Sequence, residues 1–167
     1  MSDADKTREQ LIREVAELRR QAALLDRPLQ ERQWLVQQQV REEVWRMRRT
    51  DDIENVLEAV GDGLTTLEVP FLYCGVNFVD ASVEPPAVTA YSMRQKGPGK
   101  RWANMEGGVI LDFWRGQDLV YRRDIKTDDP YGEHPQLPAI RSVVDAPFSH
   151  GTLAISSPKP DALALVQ

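Results

Sequence analysis

Residues that support covalent chemistry are scarce in this sequence, which has one cysteine, Cys74, and two histidines. A single cysteine excludes an internal disulfide, a metal site made of cysteines alone and a two-cysteine redox cycle within one chain. No apolar run approaches the roughly 20 residues of a membrane-spanning helix. The start MSDADKTREQ lacks the apolar segment of a secretory signal. We therefore expect a cytoplasmic protein that does not insert into a membrane.

Basic charge is scarce outside the N-terminal region. The first 50 residues carry 11 basic and 9 acidic side chains, and the remainder carries 10 basic and 17 acidic. Because nucleic-acid binding needs a basic face that displaces counterions, the body of the protein predicts no nucleic-acid partner. Arg46, Arg48 and Arg49 cluster at the end of a predicted helix, where the macrodipole favours cations without any ligand.

The N-terminal region contains a regular apolar stripe. Its spacings alternate between four and three, the a/d pattern that turns one side of a helix towards a partner helix. We expect residues 1–49 to form a long helical arm and the stripe to be the interface of a homodimer, parallel or antiparallel. Packing of the helix on its own domain is the alternative. The stripe consists of Leu11, Val15, Leu18, Ala22, Leu25 and Leu29.

A second helix is predicted over residues 31–49. Pro28 lacks an amide donor and crowds the preceding turn, so it should interrupt the first helix or shift its register. We expect the apolar face of the second helix to be substantially buried, at least in a dimer. That face is formed by Val36, Val40, Val44 and Met47.

Residues 50–167 are predicted to form the main domain. It begins with a helix that Asp51 caps and Glu54 closes in a capping box, followed by apolar residues at helical spacing. Six apolar segments between turn-forming residues then predict strands. They cover residues 71–80, 88–94, 108–115, 119–124, 140–146 and 151–157. The predicted fold class is α+β, an antiparallel sheet of about six strands with helices on one face.

Two connections contain residues that resemble functional sites. Residues 95–107 include GPGK, but the Ser or Thr that a phosphate-binding loop places after its lysine is absent behind Lys100. We therefore predict a loop without nucleotide hydrolysis. Asp128, Asp129, Glu133 and His134 follow no metal-ligand spacing, so residues 126–138 predict a solvated acidic loop and no metal site.

The corner between the last two predicted strands carries Ser149 and His150. Nucleophilic catalysis would need the two side chains within reach of each other and an orienting acid. Neighbours on a turn generally point apart, and Asp145 lies on the other arm. We expect His150 to be a turn or pocket residue and the protein not to be an enzyme.

Three segments of residues 40–157 form a characteristic set: VWRMRRTDDIENVLEAVGDGL, the following VPFLYCGVNFVD, and the closing IRSVVDAPFSHGTLAISS. Together they resemble a GAF domain, the small-molecule-binding module of bacterial sensor kinases and related signalling proteins. The N-terminal helix is similar to the signalling helices that join such domains in dimers. The resemblance implies a sensory or regulatory role in bacterial signal transduction.

The sequence departs from that family in two places. Only PKPDALALVQ follows Ser157, where GAF domains usually end in a long helix that packs on the sheet. The segment before Arg141 is short, which leaves little room for a helix over the ligand pocket. We therefore expect a small or absent lid, and a sheet covered mainly by the helices before it.

The resemblance leaves the ligand and any cofactor open. Cys74 lies within a strand without an adjacent histidine, which disfavours bilin attachment, and methionine-sulfoxide reductases of this fold depend on several cysteines. The dispersed signature of cyclic-nucleotide-binding members is not traceable. Aromatic and soft apolar residues with polar tips suit a small-ligand pocket. The candidates are Tyr91, Met93, Trp114, Tyr121, Phe148 and His150.

The sequence thus predicts a non-catalytic sensory module that binds a small ligand or relays a signal to a partner protein as a homodimer. The alternative is a dimerisation or protein-interaction scaffold without a ligand.

Overall fold

A computed structural model describes residues 8–95 and 100–164, with the side chains of residues 9, 18–27 and 104–106 left out. Its elements are α1 (Arg8–Arg46), a 3-10 turn (Thr50–Asp52), α2 (Ile53–Thr66), β1 (Tyr73–Asp80), β2 (Ala87–Arg94), β3 (Lys100–Glu106), α3 (Gly108–Gly116), β4 (Val120–Arg122), β5 (Ser142–Phe148) and β6 (Gly151–Ser157). Within the described ranges, no helix is long and apolar enough to span a membrane.

The strands form one antiparallel sheet in the order β3-β2-β1-β6-β5-β4. The predicted α+β class and the antiparallel sheet of about six strands are confirmed. Gly151, at the predicted corner, has φ +156, and a Cβ there would lie 1.8 Å from the Asn77 carbonyl oxygen. Glycine at this position therefore allows β6 to approach the neighbouring strand β1 closely.

One face of the sheet packs against α2. Cys74 and Val76 of β1 alternate with residues of the other face and contact the buried α2 side chains Val56 and Leu57 in one apolar cluster. The turn before α2 is capped by Asp52, whose carboxylate accepts the backbone N–H groups of Arg48 and Arg49 at 2.7 and 2.9 Å. The predicted cap, Asp51, was one residue early.

Helix α1 continues through Pro28, so the predicted interruption there is wrong. Proline removes one donor, and the residues on both sides of it are good helix formers that maintain the helix. Val36 packs so closely on α2 that a Cβ at Gly63 would lie 2.3 Å from its Cγ1. Glycine at position 63 thus allows the close approach of the two helices.

The buried face of α1 differs from the predicted one by a single residue. Val40 and Met47 pack against the core, and Val36 is half-buried. Val44 is 50% exposed in the single chain, and its burial in a dimer stays a prediction. Half-buried Glu43 takes the intervening position, since residues 36, 40, 43 and 47 lie on one side of a helix with 3.6 residues per turn.

Two segments have structures other than those predicted. Residues 108–115 form helix α3 instead of a strand, and residues 100–106, predicted as a loop, form strand β3. A short apolar run such as GVILDFWR fits a strand or a buried helix equally well. Here Gly107 begins the helix and Gln117, in the left-handed region at φ 57, ends it.

The second face of the sheet is covered by α3 and by residues 123–141, which we call the covering segment. The expectations of helices on one face only and of a small or absent lid are therefore wrong. On the α2 side, fully buried Leu163 fills the core where we expected too little C-terminal cover. Its backbone N–H lies 3.3 Å from the Tyr121 hydroxyl.

Candidate functional site

A cavity of about 410 Å³ lies between the sheet and its cover of α3 and the covering segment. Its floor is made of small side chains on neighbouring strands: Gly75 pairs with Ser92 on one side and with Ala154 on the other. Ala90 and Ser156 extend this floor. Small residues at the centre of a sheet leave space that larger side chains would fill, and this is how the cavity arises.

The walls of the cavity are mainly apolar. Helix α3 contributes Val109, Ile110 and Phe113, and the covering segment contributes Leu137 and Ile140. A concave, largely apolar site with a few polar groups is typical of small-molecule binding.

A buried ionic triad closes the inner end of the cavity. Arg122 Nη2 donates to Asp145 Oδ2 at 2.5 Å, and Glu133 Oε2 lies 2.7 Å from Arg122 Nε. The Arg122 and Asp145 side chains are 3% and 5% exposed, and that of Glu133 is 16% exposed. The Nε–H does not point at Oε2, and the hydrogen bond of this second pair runs from Arg122 Nη2 to Glu133 Oε1 at 3.4 Å.

Aromatic rings hold the guanidinium of Arg122 in place. Its Cζ lies 4.9 Å from the ring centre of Phe113 and 5.8 Å from that of Tyr131. These two rings meet edge to face, with centroids 4.9 Å apart. The cation–π contacts tie β4, α3 and the covering segment together around one charge.

The triad has one cation for two carboxylates. Burial raises the pKa of the Asp145 carboxyl, and the Arg122 guanidinium opposes that rise. Burial also raises the pKa of Glu133, against the attraction of Arg122 and with the repulsion of Asp145 and Asp129. Both carboxyls are therefore sensitive to any further charge that enters the cavity.

The covering segment is closed at its base by a two-pronged ion pair. Arg141 donates to Asp124 from Nε at 2.7 Å and from Nη2 at 2.5 Å. The Ile125 N–H donates to the Arg141 carbonyl at 2.7 Å. The Asp129 carboxylate accepts the backbone N–H groups of Glu133 and His134, each at 2.8 Å, and so fixes the turn that carries Glu133 to Arg122.

We predict that the Asp124–Arg141 pair sets the acid stability of the covering segment. Hydrogen bonds from Arg141 lower the pKa of Asp124 from 3.8 to about 2. The stabilisation by this ion pair is complete above pH 3.8, the pKa of Asp124 in the unfolded chain, and is lost as pH falls through about 2. Thermal melts at decreasing pH should show the parent losing its advantage over Asp124→Asn between these values. Asp128→Asn, an exposed change in the same segment, is the control; an unchanged advantage in acid would contradict the prediction.

The outer end of the cavity lies at the β2–β3 edge of the sheet and is basic. Exposed Arg94 and Lys100 border it beside Trp102. Arg94 Nη2 donates to the Tyr73 hydroxyl at 2.7 Å, and its Cζ lies 5.1 Å from that ring. The cavity thus has cations at its outer end and a carboxylate excess at its inner end.

The structure places most of the six pocket candidates elsewhere. Met93, Tyr121 and Phe148 pack in the core on the α2 side, because the strand alternation turns their side chains away from the cavity. Tyr91 belongs to the same core and also borders the cavity. Trp114 donates from Nε1 to the Ser149 carbonyl at 3.2 Å, and His150 is exposed on the turn.

The residues weighed for catalysis and metal binding have other contacts. Asp145, the acid nearest His150 in sequence, is bound to Arg122. The Cys74 thiol lies 3.7 Å from the Leu57 carbonyl oxygen, and burial raises its pKa to about 11. In the described part of the chain, no group of three acidic, histidine or cysteine residues is placed to hold a metal ion.

Three of the six dimer candidates have described side chains. Leu11, Val15 and Leu29 are 41%, 45% and 39% exposed. The side chains of Leu18, Ala22 and Leu25 lie outside the described residues. Whether the stripe pairs with a second copy stays a prediction.

Sequence reasoning missed the triad, although one signal was present. Asp145 interrupts the apolar run SVVDAPF in a strand, and a charge at such a position needs a buried partner. Arg122, in another predicted strand, was the available cation. Glu133 has the sequence pattern of a solvated acid, because nothing in the sequence shows that residues 126–138 fold back over the sheet.

No protein-family model matches this sequence, and a search of curated proteins gives no match. Among solved structures, one match is the GAF domain of a two-component sensor histidine kinase from Bacillus halodurans. The TM-score is 0.48 at 18% identity, over 72% of this chain and 87% of the other.

Proposed function

We propose that this chain is a non-catalytic regulatory module of the GAF type that binds a small organic molecule between its sheet and covering segment. The observation that carries the proposal is the cavity of about 410 Å³, within the range of ligand sites. The three segments that resemble GAF domains agree with it. In this proposal the module is cytoplasmic and passes the bound state to a partner protein through α1.

Binding would be sensed through the covering segment. It contacts the cavity through Leu137 and Ile140 and the triad through Glu133. A ligand that touches the sheet and the segment together favours the closed position of the segment, because a ligand shifts an equilibrium by its differential affinity for the two states. Pairing of two α1 helices would then carry the change to a neighbouring protein.

We expect the purified chain to carry a small molecule that a cavity-filling substitution removes. Ala154 lies on the cavity floor between Gly75 and Asp145, so Ala154→Leu should fill the space and abolish the adduct in native mass spectrometry. Ala103→Leu, exposed on β3, should keep it. Circular dichroism should show that both variants are folded. An adduct that persists in Ala154→Leu, or none from several expression hosts, would favour the scaffold without ligand.

We further propose that the chain is a homodimer through the exposed stripe of α1. A long helix with an unpaired apolar stripe is marginal in water and gains stability from a partner helix. Leu11 and Val15 lie one turn apart on this stripe, and Ile12 beside them is 59% exposed. The alternative, a scaffold that pairs without binding a ligand, uses the same surface.

Charge introduced into the stripe should separate the two copies. The double substitution Leu11→Glu and Val15→Glu is expected to halve the mass measured by light scattering, because like charges would face each other across the seam. The control Arg13→Ala, on an exposed position between them, should leave the mass unchanged. A monomeric parent, or a double variant with the parent's mass, would refute pairing through this stripe.

A further inference from the structure

The inner end of the cavity lacks one positive charge. Arg122 faces the carboxylates of Asp145 and Glu133, and Asp129 adds negative charge near Glu133. The nearby cation Arg141 is already paired with Asp124. Since a buried ion cluster is stable only when its charges are compensated, a cation entering here is stabilised and an anion is repelled.

One oxygen of the triad is available to such a cation. Asp145 is 4% exposed and borders the cavity. Its Oδ2 accepts from Arg122, whereas none of the described residues donates to Oδ1. A protonated amine in the cavity would donate to this carboxylate, and such charge-assisted hydrogen bonds are stronger than neutral ones.

The opposite end of the cavity has the opposite charge. A line of paired residues runs across five strands from Lys100 through Ser92, Gly75 and Ala154 to Asp145. Four strand spacings of about 4.8 Å place the backbone positions at its ends about 19 Å apart. The residues between are small, and α3 provides an apolar wall above them.

We propose that the cavity binds a zwitterion with an apolar body, with its protonated amine at Asp145 and its acidic group at Arg94 and Lys100. This inference rests on the proposed function, namely that a small molecule occupies the cavity. It adds the chemical class of that molecule and its direction. The basic residues at the outer end bind the acidic group, the carboxylates at the inner end bind the amine, and the apolar wall contacts the body of the molecule between them.

Four molecules of equal chain length test this proposal: 8-aminooctanoate, octylammonium, octanoate and octane-diol. We expect 8-aminooctanoate to bind most tightly by titration calorimetry at neutral pH, and octylammonium more tightly than octanoate. The amide signals of Gly75 and Ala154 in NMR spectra should shift on binding, which locates the probe on the cavity floor. Concentrations up to about 10 mM cover affinities in the millimolar range.

Two variants that each remove one negative charge complete the test. Asp145→Asn keeps an oxygen that accepts from Arg122, and Glu133→Gln gives a second case if the first fails to fold by circular dichroism. Each should weaken the binding of octylammonium at least about tenfold, which is about 1.4 kcal/mol, and leave the binding of octane-diol unchanged. If octanoate binds more tightly than octylammonium, or if all four probes bind equally, the inference is overturned, while the proposed binding of a small molecule is retained. If no probe binds, the inference is also wrong, and the proposed function is decided separately by the mass of the purified chain.

Discussion

Replacing Arg122 by methionine is expected to destabilise the protein by about 3–5 kcal/mol at neutral pH, the usual result when one partner of a buried ion cluster is removed. Methionine fills much of the space between Phe113 and Tyr131, so the loss comes mainly from charge. Without the guanidinium, Asp145 and Glu133 face each other in a site where both are poorly hydrated. At least one of them must then take up a proton.

The pH dependence of this loss distinguishes charge from packing. The pKa values of Asp145 and Glu133 are already raised by burial, and removal of Arg122 raises them further. Carboxyls whose pKa is raised in the folded state stabilise the protein at low pH, and this stabilisation is lost as pH rises through the raised pKa. Urea unfolding should therefore show Arg122→Met recovering towards the parent as pH is lowered from 7 towards 5.

Arg123 offers a matched control on the next residue. Its side chain is 73% exposed, and its Nε lies 3.9 Å from Asp161. Exposed ion pairs contribute little to stability, so Arg123→Met should change it by less than about 1 kcal/mol. Equal losses in the two variants, or a loss in Arg122→Met that does not depend on pH, would contradict the charge balance described for the triad.

The elements that the sequence predicted correctly are those with strong local patterns. Helix α2 has apolar residues at helical spacing and Asp52 close to the predicted cap, and β1, β5 and β6 show apolar runs between turns. Residues 100–106 contain two charges near their start and few aliphatic side chains. Their strand is an edge strand, stabilised by pairing with β2, and that pairing has no local signal.

The cavity could be predicted only in part, for a physical reason. Its floor is defined by small side chains, and Gly75, Ala154 and Ser156 are ordinary strand residues until the register brings them side by side. Its inner end depends on Arg122, Glu133 and Asp145, which come from two strands and a connection. Most of the aromatic and apolar residues predicted to line a pocket instead pack in the core on the α2 side.

The two faces of the sheet have different roles: one lines the cavity, and the other packs against α2, which contacts α1. The face towards α3 is polar at both ends and open between them. The face towards α2 is filled by apolar side chains, including Leu163. A change in the position of the strands would therefore move α2 and the part of α1 that packs on it.

Val40→Asp should destabilise the protein by about 2–4 kcal/mol, whereas Val44→Asp, one turn further along α1, should change its stability by less than about 0.5 kcal/mol in the single chain. Val40 packs against the core of α2 and the sheet, while Val44 is 50% exposed. Both variants replace valine by aspartate in the same helix, so the cost in helix propensity is the same and does not contribute to their difference in stability. Urea unfolding of the two variants measures the difference directly.

Protein concentration separates packing within the chain from packing between chains. The loss in Val40→Asp should be the same at low and high concentration, because α1 contacts its own α2. If a second copy covers Val44, the loss in Val44→Asp appears only where the parent is a dimer, since association stabilises by mass action. A Val40→Asp variant as stable as the parent would show that the C-terminal half of α1 does not seal this core. The helix would then be a projecting stalk, and the route proposed from the cavity to α1 would have no physical connection.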